Sequence, residues 1–187
     1  MNFKNLLPVL LVPAILLLIP AGAMLFKAEG WDWSASDFII MWVLLVGVGI
    51  AYKLISRKAD TPAYRIATAV GLAAGFLLIW VNGAVGLIGS EDNPANALYG
   101  GVLLVGALGA LLARFEPLGM FRALLATAFA QFLVPVIALF AWRHDFSPGV
   151  PQVLALNFAF VLMFVASALL FRQAAGGTGH SSIQKPA

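Results

Sequence analysis

The stretch TPAYRIATAVGLAAGFLLIWVNGAVGLIGSED, residues 61–92, runs from Ile66 to Ser90 without a charge, 25 residues in all. A helix needs about 20 mostly apolar residues to cross roughly 30 Å of hydrocarbon. In lipid the backbone must satisfy its own hydrogen bonds, so a run of this length reads as a helix and not as a barrel strand. Ala67, Gly71 and Gly75 recur at every fourth position, a spacing that lets helices approach closely. The stretch then ends on two carboxylates, and the question is what they do there.

The same character repeats on both sides. Six spans are expected, at about 6–26, 37–56, 64–89, 96–114, 119–142 and 151–172. The composition agrees, being 62% hydrophobic and only 10% charged, against roughly 45–50% and about 25% in soluble domains. The expected fold class is therefore all-α, a six-span transmembrane helical bundle occupying residues 1–173, followed by a disordered cytoplasmic tail at 174–187. Lys4, the apolar run after it and Ala21-Gly22-Ala23 have the look of a secretory signal. Pro8, Pro13 and Pro20, with the apolar continuation through Phe26, favour an uncleaved first span instead.

Charge sets the threading. Lys4, Lys53, Arg57, Lys58, Arg65, Arg114, Arg122, Arg172 and Lys185 fall on one side, and only Lys27 and Arg143 on the other. Positive residues favour the cytoplasm, so both termini are expected inside. Trp31, Trp33 and Trp142 mark the outer boundary, where indole rings favour the interface. The +3 net charge is thereby explained by the lipid bilayer as partner, with no nucleic acid needed. Acidic residues show the reverse split: Glu29, Asp32, Asp37, Glu91, Asp92 and Asp145 lie outside, and only Asp60 and Glu116 inside.

The loops carry helix-start signals. Thr61-Pro62 and Asn93-Pro94 each place a capping residue before a proline suited to a first helical turn. Ser34 and Asp37 have the spacing of a capping box. The loop Gly89–Asn96, GSEDNPAN, also clusters oxygen atoms of the type a hard cation takes. Glu91, Asp92 and Asn93 are its candidate ligand or cation contacts, with Asp32 and Asp37 from an earlier loop. No EF-hand spacing is present, and the sequence names no metal.

Within the spans, Asn82, Gln131 and Asn157 form a candidate intramembrane polar network. Such residues usually bond across helices, for about 0.6–2 kcal/mol. No Asp, Glu, Lys, Arg or His lies deep in any span, which argues against a carboxylate proton relay or a charged substrate site. Gly71, Gly75, Gly106 and Gly109 are candidate packing positions, serving the chain itself, a partner or a second copy. Pro135 stands one turn after Gln131, where the side-chain amide could serve the carbonyl it frees.

Enzyme signals are poor. There is no cysteine, and only His144 and His180 among histidines. No nucleophile elbow, metalloprotease helix or phosphate loop occurs, Arg143-His144-Asp145 reads as an interfacial turn, and no cofactor is expected. Gly49, Arg57, Tyr64, Arg65, Ala69 and Ala73 echo 57 positions later as Gly106, Arg114, Phe121, Arg122, Ala126 and Ala130, as a duplicated hairpin would.

WVNGAVGLIGSEDNPANALYGGVLLVGALGALLARFEPLGMFRALLATA (80–128), with SDFIIMWVLLVGVGIAY (36–52) upstream, resembles a group of small bacterial polytopic inner-membrane proteins carrying a GSEDNPAN loop. The resemblance covers much of residues 35–140 and implies a multi-pass protein of the bacterial inner membrane. It transfers no activity, substrate or site. The expected function is a non-catalytic accessory or assembly component, acting through helix–helix and outer-loop contacts with a membrane-protein partner or a second copy. The alternative is a small cation or small-solute transporter or channel with an acidic outer mouth.

Overall fold

The computed structural model describes residues 3–141 and 149–180. Trp142, the Arg143-His144-Asp145 turn and the tail from 181 lie outside the described residues. The described chain is helical throughout, with no strand. Among the described residues, six helices are long and apolar enough to cross a membrane: Leu7–Leu25, Ala35–Ser56, Pro62–Ala84, Pro94–Leu112, Pro117–Ala141 and Val150–Gly176. This is a multi-pass membrane protein. It divides into two compact units, Met1–Leu54 and Ile55–Ala187.

In the first unit the opening apolar run is split into α1 (Phe3–Leu16) and α2 (Leu18–Leu25). Pro20 has no N–H for the carbonyl of Leu16, and the helix is interrupted one residue later, at Leu17. Pro8 and Pro13 sit inside α1 without breaking it. α3 (Ala35–Ser56) follows. Its start is a reciprocal cap in which Asp37 Oδ2 accepts from Ser34 N at 2.7 Å and Ser34 Oγ at 2.8 Å. Asp37 N donates back to Ser34 Oγ at 3.4 Å. Trp31, Trp33 and Phe38 stack beside this cap, at centroid distances of 6.0 and 5.3 Å. Val9 is buried against α3: a Cβ on Gly49 would come within 3.0 Å of its Cγ1.

The second unit is a bundle of α4 (Pro62–Ala84), α5 (Leu98–Leu112), α6 (Pro117–Ala141) and α7 (Val150–His180). α7 lies between α4 and α6, and α5 packs on α6. Small residues set the spacing. A Cβ on Gly71 would meet Ser167 Oγ at 2.8 Å, and one on Gly109 would meet Ala123 Cβ at 2.9 Å. One on Gly106 would meet Thr127 Oγ1 at 3.2 Å, and one on Gly75 would make only ordinary contact with Leu103, at 3.8 Å. Ser167 Oγ also donates to the Ala67 carbonyl at 2.7 Å, locking α7 to α4.

Two boundaries differ from the sequence reading. α4 ends at Ala84, five residues before the expected 89, because Gly86 just beyond it takes a left-handed φ of 72°, which an α-helix cannot continue through. α7 continues through His180 into the segment expected to be disordered. Ala174, one turn past the fully buried Phe171, is itself only 2% exposed, so the core extends beyond the apolar run.

At the basic end of this bundle the α5–α6 turn places two successive non-glycine residues in the left-handed region, Arg114 (φ 49°) and Phe115 (φ 60°). That conformation costs about 1–2 kcal/mol per residue. The turn is closed by Arg114 N on Leu111 O at 2.9 Å and Phe115 N on Ala110 O at 3.2 Å, the paired bonds of a helix C-terminus. Both strained residues also give their carbonyls to side chains, one from the α3–α4 connection and one from the first turn of α4. Lys58 Nζ donates to Arg114 O at 2.7 Å, and Tyr64 Oη donates to Phe115 O at 2.6 Å. Tyr64 is buried, with its ring edge-on to Phe171 at 4.9 Å.

This clamp has a measurable signature. Unfolding in detergent micelles should show Tyr64→Phe losing about 1 kcal/mol. Arg114→Gly should gain about 0.5 kcal/mol, the relief of the left-handed φ less the added freedom of the unfolded chain. A loss with Arg114→Gly would mean that the turn holds no strain.

Candidate functional site

The loop that opened the question is built from its amides. Asn93 caps the short 3₁₀ turn Pro94–Ala97, its Oδ1 accepting from Ala95 N at 2.9 Å. Asn96 is 4% exposed and points into the loop. Its Oδ1 accepts from Leu87 N at 3.2 Å and Ile88 N at 3.0 Å, and its Nδ2 donates to Ile88 O at 3.2 Å and Ser90 O at 2.6 Å. Leu87, Ile88 and Ala95 are buried beside it. The chain folds back so tightly that a Cβ on Gly86 (φ +72°) would lie 2.5 Å from the backbone of Ser90. Only glycine meets both demands there.

Glu91 and Asp92 take no part in this framework and are exposed at its tip. Asp32, in the first unit, is also exposed, whereas Asp37 there is committed to the helix cap. Among the described residues, no three His, Cys, Asp or Glu side chains are grouped to hold a metal ion.

The intramembrane amides divide. Asn82 pairs with the loop, its Nδ2 donating to the Asn96 carbonyl at 3.2 Å. Gln131 and Asn157 meet each other at the junction of α6 and α7, Gln131 Nε2 donating to Asn157 Oδ1 at 2.9 Å. A third side chain joins them from α5: Tyr99 Oη donates to the same Asn157 oxygen at 2.8 Å. Asn157 Nδ2 closes onto Val153 O, one turn back, at 2.9 Å. All three residues are at most 1% exposed. One carboxamide therefore ties three helices together, and Gln131 spends its amide on Asn157 instead of on its own carbonyl beside Pro135.

Two of these residues were not singled out from the sequence. Asn96 sat in the same loop, but unlike Asn93, which precedes Pro94, it has no local feature that marks a role. Tyr99 carried a usable signal, because a tyrosine just inside a span needs a partner for its hydroxyl. Gly71, Gly106 and Gly109, for their part, serve contacts within this chain. No protein-family model, curated protein or solved structure matches the chain.

The loop and its tip should separate cleanly in stability. Asn96→Ala should lose about 3 kcal/mol, since four hydrogen bonds go and buried backbone groups are left unpaired. Glu91→Gln with Asp92→Asn should stay within about 0.5 kcal/mol of the parent, as exposed substitutions do. Chemical unfolding monitored by tryptophan fluorescence would report both, and equal losses would mean that the tip belongs to the framework.

Proposed function

We propose that this chain is a non-catalytic accessory or assembly component of the bacterial inner membrane, with both termini cytoplasmic, that recognises a partner at the rigid outer loop. The observation that supports this most is the division of labour in that loop. Asn93 and Asn96 are turned inward to hold the backbone, and Glu91 and Asp92 are left exposed on a fixed frame. A preordered display loses little conformational entropy on binding. The glycine faces favour the loop as the contact region, since Gly71, Gly106 and Gly109 are occupied within the bundle.

The threading draws support from Lys58, Tyr64, Arg114 and Phe121–Arg172, which gather at one end of the second unit, as the positive-inside bias requires. Reporter fusions after residues 60, 116 and 180 should read cytoplasmic, and those after 30, 92 and 146 periplasmic. A periplasmic reading at 180 would overturn the threading.

A second reading, a cation or small-solute transporter lined by Asn82, Gln131 and Asn157, is favoured by two of those residues. Gln131 Oε1 and Asn82 Oδ1 are each buried without a protein donor. Liposome flux that falls with Glu91→Gln plus Asp92→Asn would establish it over the first reading.

Native mass spectrometry of the chain gently extracted from its own membrane tests partner recognition. The expected result is a heteromeric mass that dissociates with salt and is lost in the Glu91→Gln, Asp92→Asn variant. A lone chain or homo-oligomer, or a complex indifferent to those substitutions, would overturn it.

A further inference from the structure

Gln131 is fully buried on α6, and its two ends are treated differently. Nε2 donates to Asn157, whereas Oε1 has no protein donor. The amide cannot simply be turned over. Asn157 Oδ1 already accepts from Tyr99, and Asn157 Nδ2 is directed to Val153 O. Reversing Gln131 would set two acceptor oxygens face to face. Nor does the backbone supply the missing donor. Pro135 stands four residues on and has no N–H, so the carbonyl of Gln131 cannot receive the usual helical bond. Gln131 thus carries a side-chain oxygen without a protein donor and a carbonyl without its usual helical donor, in an interior where an unpaired polar atom is costly.

The chemistry of the surroundings restricts what can sit there. Thr127, Val134, Tyr99 and Asn157 are all buried around this position, so the occupant is small. Thr127 spends its hydroxyl proton on Ala123 O at 2.9 Å and has none to give. The unfilled oxygens are neutral and no carboxylate is part of the junction, which excludes a divalent ion as a fit. An anion would meet acceptors only.

We propose that Gln131 Oε1, beside the Tyr99–Asn157 junction, binds one small hydrogen-bond donor, a water molecule or an ammonium ion, inside the bundle. The site concerns the buried junction and stands apart from partner recognition at the loop. Loss of the partner complex leaves it untouched.

Two measurements on the full chain in nanodiscs distinguish the sources. Water predicts an infrared O–H band that shifts between H₂¹⁶O and H₂¹⁸O, is absent in Gln131→Met, and changes frequency in Pro135→Ala, which returns an N–H to the Gln131 carbonyl. Ammonium predicts a melting temperature several degrees higher in ammonium chloride than in choline chloride at equal ionic strength, a difference that Gln131→Met abolishes. The Pro135→Ala arm serves should Gln131→Met fail to fold. An isotope-sensitive band unchanged in both variants lies elsewhere and overturns the proposal. So does the absence of both signals, or a response to sodium without one to ammonium.

Discussion

A polar atom in hydrocarbon has no water to fall back on, and the second unit is arranged around that constraint. Asn157 Oδ1 accepts from α5 and from α6, while its own amide stays on α7. Such bonds are worth about 0.6–2 kcal/mol each in a membrane. Their larger effect is on register, because sliding any of the three helices by one turn would leave a buried hydroxyl or amide unpaired. Tyr64 acts in the same way at the basic end, where its hydroxyl fixes the α5–α6 turn through Phe115 O. The two ends of the bundle are thus pinned by tyrosines, on α4 and on α5.

Between these pins, close approach does the work that the hydrophobic effect does in water. Gly71 on Ser167 and Gly109 on Ala123 leave no room for a methyl group, and the gain there is dispersion between backbones. Ser167 combines both devices, filling the space over Gly71 and donating to Ala67 O. The exposed leucines of α5, including Leu104, Leu108 and Leu111, are what a lipid-facing surface requires.

Sequence reasoning reached the features that depend on local chemistry. The spans follow from length and apolarity, and all three expected caps form, at Ser34, Thr61 and Asn93. It did not reach the features decided by distant pairing. Asn96 outweighs Asn93 because its amide faces Leu87, Ile88 and Ser90, which only the fold brings round. The end of α4 moved inward for the same reason: apolar residues 85–89 look like span, but Leu87 and Ile88 are buried under the loop. The 57-residue echo shows how little residue identity says about role. Tyr64 clamps a turn, whereas Phe121 at the echoed position has no hydroxyl and lies under the Arg172 guanidinium, 5.7 Å from the ring centre. Gly49 faces Val9 of α1, and Gly106 faces Thr127 of α6, the helix that follows its own.

The loop and the buried junction are one construction. Asn96 lies within the 3₁₀ turn that leads directly into α5, and Tyr99 is three residues further on. A loop that shifted would carry Tyr99 with it and withdraw one of the two donors on Asn157. The same displacement would strip Asn82 of its bond to the Asn96 carbonyl. Any rearrangement of the frame is therefore opposed from two sides of the bundle. Glu91 and Asp92 are exempt, because neither carboxylate belongs to the frame. Under the proposed partner recognition such a surface works by presentation, the two carboxylates taking their fixed position from the inward-turned amides of the frame.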